Sequence, residues 1–334
     1  MKIAIVTDKS RKTFLPGEEG IQEDKQHKDT MTQIREALSD KFEVINLIMD
    51  QDIIKNIKQQ KVNLVFNLCN GVRGEGSLSQ LPAILESEGI AYTGSTPLAH
   101  GLAYNKIISG KIFLASKIPS PRFSYMKSTE GIDELKLNYP LILKPKDEGS
   151  SRGIHNDSLV FNKKLLTRKL KELLGKYNPP IMIMEYVEGR EFTVGLLGNG
   201  DDIQVLPILE IDLSNLPEGI NKIYSFEAKF KFDEYVKYHL PARVDEETYK
   251  NMSEIAVKAY KSLGLRDYAR VDIRLKNDIP YVIEVNSLPG LDKYNSDICK
   301  MAEKAGIKYD ELIKRIVKMG LSRVDSINKN LLIS

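Results

Sequence analysis

Acidic and amide side chains recur at alternate positions in two neighbouring segments near the C-terminal end of the chain. Residues 268–274 read Tyr-Ala-Arg-Val-Asp-Ile-Arg, and residues 281–286 read Tyr-Val-Ile-Glu-Val-Asn. Alternation of apolar and polar residues is typical of β-strands, so Glu284 and Asn286 would share one face, and Asp272 would lie on the same face of the other strand as its polar neighbours. If the strands pair, two carboxylates and an amide oxygen meet, and this set of ligands suits Mg²⁺. The alternative is a surface hairpin whose charges face water.

Other residues could supply phosphate-binding groups next to this hairpin. Arg270 falls on the predicted face of Asp272 and would provide a fixed cation. Lys144 ends a predicted strand, and the loop after it, from Gly149 to Gly153, is rich in glycine and serine. Such a loop offers N–H groups and hydroxyls to a phosphate, although most loops of this composition are solvent-exposed turns.

A second glycine-rich segment, residues 69–77, follows another predicted strand. Ligand sites in open α/β sheets favour this location. The segment is either a plain strand-to-helix turn or a loop that brings Glu75 to a ligand.

The elements that must position these residues follow two patterns. Strands and helices alternate through the first part of the chain, which predicts an α/β domain with a parallel sheet. Within it, the polar residues 8–29 are predicted to form a long loop. Helices and hairpins follow in mixed order, so we predict an α/β and α+β multidomain protein. The predicted domain boundaries are 1–96, 97–187 and 188–322, with a tail at 323–334.

The composition of the 334-residue chain excludes several classes of protein. Hydrophobic residues make up 42% and charged residues 28%, as in an ordinary soluble globular protein. The net charge of +3 is too small to suggest a nucleic-acid partner. Two cysteines make no disulfide framework, and no apolar run approaches the roughly 18 residues of a membrane span. We therefore predict a cytoplasmic protein without a membrane partner.

Five motifs occur in a fixed order along the chain. They are Lys-Pro-x-x-Glu-Gly-Ser-Ser-x-Gly at 144–153, Glu-Gly-x-Glu-Phe-Thr at 188–193, Glu-Ala-Lys at 227–229, Ala-Arg-Val-Asp at 269–272 and Glu-Val-Asn-x-x-Pro-Gly at 284–290. In this order they resemble the D-alanine–D-alanine ligase family of the ATP-grasp enzymes. The resemblance implies an ATP-grasp fold after the N-terminal parallel α/β domain, ATP and two Mg²⁺ ions (or Mn²⁺) as cofactors, and a homodimer.

The resemblance also implies a role for each matching residue. The nucleotide would be held by Lys106 and Lys144 at the phosphates, Gly149 to Gly153 as the covering loop, Glu185, Tyr186 and Val187 at the adenine, and Glu191 at the ribose. The metal ions would be bound by Asp272, Glu284 and Asn286. The remaining candidates would act on the reacting groups: Arg270 and the N–H of Gly290 at the oxyanion, Lys229 at the γ-phosphate, Ser150 or Ser151 at the substrate, and Glu75.

The implied reaction joins a carboxylate to an amine in two steps. The carboxylate takes the γ-phosphoryl group of ATP to give an acyl phosphate, and the amine then displaces phosphate. Metal ions and cations would cancel the repulsion between the anionic carboxylate and ATP. The small-molecule substrates would be an amino acid or other carboxylate and an amine.

The amino-acid half of the chain departs from the family pattern. The usual Gly-Gly-x-Ser-x-Glu segment after the first strand is absent, and Glu23 is a candidate for its glutamate. Phe230 stands where dipeptide-forming members have tyrosine, and Asn295 replaces a serine that meets the second substrate's carboxylate. These differences predict substrates other than two D-alanines.

Three alternatives remain open at the level of sequence. One is D-alanyl-D-alanine synthesis itself, for cell-wall precursors. Another is a nucleotide-binding module without turnover, although a bridging carboxylate has no use there. The third, a Rossmann dehydrogenase, lacks the Gly-x-Gly-x-x-Gly motif after the first strand. His27, His100, His155 and His239 have no spacing that suggests catalysis and are interpreted as surface or packing residues.

Overall fold

The computed structural model describes residues 1–10, 18–71, 74–149 and 151–323. Ser150 lies outside the described residues, and so does the side chain of Glu23, so their predicted roles are not addressed. Most of the predicted tail also lies outside this part of the chain.

The first sheet is parallel, as the alternation of strands and helices predicts. It contains β1 (Lys2–Thr7), β2 (Glu43–Ile48) and β3 (Leu64–Asn67) in the order β2-β1-β3, connected by α1 (Glu18–Leu38) and α2 (Ile53–Gln59). The prediction of a loop over residues 8–29 is wrong, because α1 already begins at Glu18. The first turns of α1 are polar but contain residues with high helix propensity. Acidic residues near a helix N-terminus also stabilise the helix by interacting with its macrodipole.

Three helices lead from this sheet to the next. They are α3 (Gln80–Ser87), α4 (Pro97–Tyr104) and α5 (Lys106–Ala115). The side chain of Asn105 caps α5 by accepting hydrogen bonds from the N–H groups of Ile107 and Ile108. This cap fixes where α5 begins and so places Lys106 at its first turn.

The second sheet is antiparallel and has four strands. These are β4 (Phe123–Met126), β5 (Leu141–Pro145), β6 (Leu159–Val160) and β7 (Ile181–Glu185), in the order β4-β7-β5-β6. Helix α6 (Lys163–Lys176) covers it, and its apolar residues at helical spacing are buried against β5 and β7.

The third sheet carries the hairpin on which the sequence analysis concentrated. Its strands are β8 (Arg190–Asn199), β9 (Asp202–Val205), β10 (Leu209–Asp212), β11 (Lys237–His239), β12 (Tyr268–Lys276) and β13 (Ile279–Asn286). The order is β11-β10-β8-β12-β13, with β9 paired to β8. Helices α7 (Phe226–Phe230), α8 (Glu246–Ser262), α9 (Asp297–Lys304) and α10 (Tyr309–Leu321) complete this part.

The turn between β12 and β13 is formed by Asn277 and Asp278, as their types predict. Both have positive φ, +50° and +60° respectively, which matches a two-residue hairpin turn. The register places Asp272 opposite Glu284 and then shifts by one residue before Ile273. The turn and the register therefore decide which side chains meet on the sheet.

The first and third sheets share one hydrophobic core, which is closed by α10. Ile3 and Phe66 of the first sheet, Tyr268 of the third and Ile316 of α10 all belong to it and are fully buried. The predicted domains 1–96 and 188–322 therefore pack against each other. We keep the predicted domain boundaries as a proposal. No described helix is both long enough and apolar enough to cross a membrane.

Candidate active site

The predicted metal ligands lie on one face of the third sheet. Thr193 of β8 and Glu284 of β13 are paired with Asp272 from its two sides. The Oγ1 of Thr193 donates a hydrogen bond to Oδ1 of Asp272 at 2.7 Å, and Nδ2 of Asn286 donates to Oδ2 at 2.9 Å. The alternation of polar residues in β12 and β13 is what brings these groups together.

Arg270 lies between two carboxylates on the same face. Its Nε and Nη2 donate to Oδ1 and Oδ2 of Asp272 at 2.9 and 3.0 Å, and its Nη1 donates to Oδ2 of Asp297 at 3.2 Å. Although burial opposes it, these two carboxylates raise the pKa of Arg270, so the guanidinium remains charged. The side chain is thereby fixed beside the predicted metal ligands.

Two lysines from the second sheet and the helix before it reach Glu284. The Nζ atoms of Lys106 and Lys144 both lie 3.6 Å from Oε2 of Glu284. Burial lowers the pKa of Lys144, and the Glu284 charge opposes this shift. Burial would raise the pKa of Glu284, but the charges of Lys106, Lys144 and Arg270 outweigh it and lower that pKa, so the carboxylate is ionised at neutral pH.

The residues present fit a magnesium ion. Oε2 of Glu284 is buried and makes no hydrogen bond to any residue that the structure describes, so this oxygen can still coordinate a cation. No group of three His, Cys, Asp or Glu residues among the described positions forms a metal cluster, so Asn286 would have to supply the third ligand. Two carboxylates and an amide oxygen are ligands that Mg²⁺ accepts. Thr193, Arg270 and Asn286 together donate four hydrogen bonds to Asp272. The Asn286 amide would therefore have to turn, which would present its oxygen to the ion and free a lone pair of Oδ2 of Asp272.

Two segments that cover this face are joined to each other. We call residues 149–153 the phosphate loop and residues 213–236 the long loop. The Oγ of Ser151 donates to the carbonyl oxygen of Tyr224 at 3.1 Å. Immediately after the phosphate loop, the carbonyl of Ile154 accepts the N–H of Phe226 at 2.9 Å. The phosphate loop and the long loop are therefore fastened directly together.

Side chains next to the phosphate loop strengthen this connection. Nδ1 of His155 lies 2.9 Å from Oε1 of Glu227, whose Oε2 accepts the N–H of Asn156 at 3.1 Å. Asn221 donates from its N–H to Oδ1 of Asn156 and from Nδ2 to its carbonyl oxygen, both at 2.7 Å. His155, interpreted from sequence as a surface or packing residue, thus takes part in this contact.

Gly153 permits the phosphate loop to lie close to the second sheet. Its φ is +71°, a conformation that residues with a side chain rarely adopt. A Cβ atom there would lie 2.7 Å from Cγ of Pro145. The glycine at this position of the loop is therefore explained by the backbone conformation and by close packing against Pro145.

Arg274 organises the predicted nucleotide pocket. Its Nη1 donates to Oε2 of Glu191 at 3.0 Å, and its Nη2 donates to the carbonyl oxygens of Gly189 at 2.8 Å and Lys222 at 3.2 Å. Its guanidinium carbon lies 4.6 Å from the ring centroid of Tyr186, whose hydroxyl donates to the same Lys222 carbonyl. Burial raises the pKa of Glu191, and Arg274 opposes this shift.

The rest of the predicted adenine segment is held by its neighbours. Oε1 of Glu185 accepts hydrogen bonds from the N–H and Nδ2 of Asn138 at 2.8 and 3.1 Å. The N–H of Tyr186 donates to the carbonyl oxygen of Pro140 at 2.9 Å. The N–H of Tyr186 is therefore engaged within the protein, and Val187 next to it is buried.

Lys229 approaches the hairpin from the long loop, where it belongs to α7. Its Nζ lies 5.4 Å from the ring centroid of Phe230 and 6.0 Å from that of Tyr224. Burial lowers the pKa of Lys229 and the charge of Arg270 adds to this shift, whereas Asp297 and Asp272 oppose it. Lys229 thus interacts electrostatically with Arg270 and Asp272 of the hairpin and with Asp297 of α9.

The remaining two candidates lie at the edges of the site. Glu75 has an exposed side chain whose Oε1 lies 3.0 Å from Nζ of the buried Lys146, so it reaches the second sheet. Gly290 follows β13, and a Cβ atom at this position would lie 3.0 Å from Oγ of Ser296.

Two short segments of the region predicted to bind the amino acids are held by internal hydrogen bonds. Asp8, at the end of β1, accepts the N–H groups of Asn70 and Gly71 at 2.7 and 2.9 Å. The amide of Asn295 donates to Oδ1 of Asp292 at 2.9 Å, and the residue is exposed. It is Asp297, two positions later, that faces Arg270.

The sequence analysis assigned no role to three residues of this site. Arg274 has the same alternating spacing as Arg270 and Asp272, so the pattern contained a signal for it. Tyr224 lies in an irregular segment, and Asp297 begins a predicted helix whose spacing does not show that it reaches Arg270. The packing interpretation fits His100, which is buried with Nδ1 2.8 Å from Oγ of Ser287.

Two antiparallel sheets that meet at Glu284, preceded by a small parallel domain, define an ATP-grasp fold. A sequence profile described as D-ala D-ala ligase C-terminus matches residues 119–318. An uncharacterized protein of Sinorhizobium fredii is 36% identical over 262 residues, which are 78% of this chain and 75% of that protein. A D-alanine–D-alanine ligase of Carboxydothermus hydrogenoformans is 33% identical over 301 residues, with 86% and 90% of the two chains covered.

A solved structure agrees with these relatives. The D-alanine–D-alanine ligase of Bacillus anthracis complexed with ATP has a TM-score of 0.77, 26% identity, and coverage of 98% of both chains. The chain belongs to the D-alanine–D-alanine ligase family. The resemblance inferred from the five motifs is thereby confirmed, and so is the predicted fold.

Proposed function

We propose that the protein is an ATP-dependent ligase that joins a carboxylate to an amine through an acyl phosphate. The observation that carries the proposal is the ionised Glu284, which lies between Lys106 and Lys144 and opposite Asp272. Carboxylates beside fixed cations can hold both a metal ion and the phosphates it accompanies. D-alanyl-D-alanine formation, the activity named for several relatives, is the first substrate pair to test.

In the first step a donor carboxylate oxygen attacks the γ-phosphorus of ATP. The new P–O bond forms as the bond to the ADP oxygen breaks. Lys106, Lys144 and Lys229 would balance the charge on the transferring phosphoryl group. Bound Mg²⁺, held by Asp272, Glu284 and Asn286, would neutralise phosphate charge, and we propose two such ions.

In the second step the amine nitrogen attacks the acyl carbon and loses a proton, and the C–O bond to phosphate breaks. Arg270 and the N–H of Gly290 would stabilise the oxyanion that forms on the carbonyl oxygen. The phosphate loop and the long loop would keep water from the acyl phosphate. Ser150, Ser151 and Glu75 are proposed to position the substrates.

A hydroxylamine assay tests this proposal without knowledge of the amine. Hydroxylamine captures an acyl phosphate as a hydroxamate, so each amino acid or small carboxylate can be screened as donor with Mg²⁺ and ATP. Glu284→Gln should lower hydroxamate formation by on the order of 10²–10³-fold. The matched control is Glu303→Gln, which changes an exposed glutamate of α9 and should retain activity.

Two results would contradict the proposal. Wild-type activity in a folded Glu284→Gln variant would remove the role of this carboxylate. ATP binding without hydroxamate or ADP formation for any donor would favour a non-catalytic nucleotide-binding module.

We also propose a cytoplasmic homodimer, as the family resemblance implies. Light scattering should give about twice the 37.8 kDa of one chain. A mass equal to one chain would contradict it.

A further inference from the structure

Asp297 places a carboxylate where the amine substrate must approach. It is the first residue of α9, and its side chain is only 11% exposed. Its Oδ2 accepts a hydrogen bond from Nη1 of Arg270 at 3.2 Å. Because Arg270 is the proposed oxyanion-binding residue, Asp297 lies next to the carbon that the amine attacks.

The surroundings of Asp297 show that it faces the site interior. Burial raises the pKa of Tyr224, and the charge of Asp297 adds to this shift. The same charge opposes the effect of burial on the pKa of Lys229. The hydroxyl of Tyr224 lies 2.8 Å from that of Tyr238, whose pKa is raised by burial and further by Asp297. Asp297 thus contacts β12 through Arg270, and its charge acts on groups of the long loop and β11.

Two carboxylates already balance the positive charge of Arg270. Its Nε and Nη2 are engaged by Asp272, and its Nη1 is engaged by Asp297. Around the reacting carbon, the cations Arg270 and Lys229 are therefore matched by two carboxylates. An incoming carboxylate would have to compete with Asp297 for both cations and would be repelled by it.

Asn295, which stands where the family has a carboxylate-binding serine, does not compensate for this repulsion. The amide of Asn295 donates to Asp292, and the side chain is exposed. A neutral or cationic group on the substrate, in contrast, could donate hydrogen bonds to Asp297.

We propose that Asp297 determines the specificity for the amine, and that this substrate carries an amide, an alcohol or a second amine where an amino acid has its α-carboxylate. The inference rests on the proposed ligase function. It predicts that amines without a carboxylate are better acceptors than the corresponding amino acids.

An internal competition measures this preference. Wild-type protein is given ATP, Mg²⁺, the donor identified with hydroxylamine, and equal concentrations of D-alaninamide and D-alanine as acceptors. Mass spectrometry of the two products gives the ratio of their kcat/KM values, which does not depend on total activity. The ratio should favour D-alaninamide by about tenfold or more.

Substitution of Asp297 should then reverse or remove the preference. In Asp297→Asn the ratio should shift toward D-alanine by about tenfold or more, because the repulsion of a carboxylate is lost. Asp297→Ser provides a second variant with the same expectation. Asp310→Asn is the matched control, since it removes an exposed acid from the first turn of α10 and should keep the wild-type ratio.

The outcomes separate this inference from the function on which it rests. A wild-type preference for D-alanine, or a ratio unchanged in both Asp297 variants, would overturn the inference while hydroxamate formation still supported the ligase. Failure to form hydroxamate with every donor would overturn the ligase itself, and the inference with it.

Discussion

At the scale of single residues, burial decides which side chains keep their charge. Glu284 remains ionised because three cations surround it, whereas burial and the charge of Arg266 both oppose protonation of His100. Nε2 of His100 is buried and makes no hydrogen bond within the described part of the chain. Burial, and to a lesser extent the charge of Arg266, lowers the pKa of His100 to about 3.

This shift predicts a contribution of His100 to acid sensitivity. In the unfolded chain the imidazole takes up a proton near its ordinary pKa of 6.5, and in the folded protein it does so only near 3. Stability from this residue is therefore complete above the ordinary pKa and is lost as the pH falls toward 3. His100→Asn, which cannot titrate, should flatten the pH dependence of the unfolding free energy by up to about 1.4 kcal/mol per pH unit in this range.

Urea denaturation at about pH 5 and about pH 7 measures the difference. The wild-type protein, measured at both values, is the reference. Parallel losses of stability in the two proteins would show that His100 does not titrate on unfolding.

At the scale of elements, β12 links the metal site to the nucleotide pocket. Alternate residues of this one strand make different contacts. Arg270 donates to Asp297, Asp272 accepts from Thr193 and Asn286, and Arg274 donates to Glu191. Arg274 also holds the carbonyl of Lys222 in the long loop. The position of the long loop thus depends on the strand that carries the metal ligands.

Replacement of Arg274 should weaken nucleotide binding. Arg274→Met removes the hydrogen bonds to Glu191, Gly189 and Lys222 while keeping much of the side-chain volume. The dissociation constant of ATP, measured by calorimetry with Mg²⁺, should rise on the order of 10- to 100-fold. Lys276→Met, at the exposed end of the same strand, should bind as wild type does. Equal affinities in the two variants would separate Arg274 from the nucleotide pocket.

The phosphate loop offers a second test at this scale. Gly153→Ala would force a left-handed backbone on alanine and bring its Cβ against Pro145, so unfolding should become easier by about 1–3 kcal/mol. Gly149→Ala is the matched control, because its Cβ position has no contact within 4 Å among the described residues other than its chain neighbours. Chemical denaturation of both variants compares them. Equal stabilities would mean that the loop relaxes without cost.

The elements differ in how well the sequence predicted them. The hairpin could be predicted because alternation and the Asn277–Asp278 turn are local signals. Helix α1 was partly missed, since a polar segment without an apolar face has the pattern of a loop. The contact of Arg274 with Glu191 was not predictable, because 83 positions separate the two residues. Asp297 was overlooked for the same reason, as only the packing of α9 brings it to Arg270.

At the scale of the whole molecule, Asp267 connects three distant parts of the chain. It is fully buried and accepts the N–H of Gly94 at 2.7 Å and Nδ2 of Asn199 at 3.2 Å. Both Nη atoms of Arg323 donate to it at 2.7 Å. The segment after the first sheet, the third sheet and the end of α10 are thereby held at one carboxylate.

Loss of this charge should destabilise the entire fold. Asp267→Asn preserves the tolerance for a positive φ, which is +67° here, but removes the negative charge that pairs with Arg323. The free energy of unfolding should fall by about 2–3 kcal/mol. Asp201→Asn removes an exposed acid paired with Lys261 and should cost less than about 1 kcal/mol. A single denaturation transition of unchanged midpoint in Asp267→Asn would refute this role.

The mutual attachment of the phosphate loop and the long loop has a kinetic consequence. Ser151, His155 and Asn156 are bonded to residues of the long loop, so neither segment can lift away alone without breaking these bonds. With the proposed function, ADP would leave only after these bonds break or both segments move together. The lifetime of the closed arrangement would set an upper limit on how often the chain can complete a catalytic cycle.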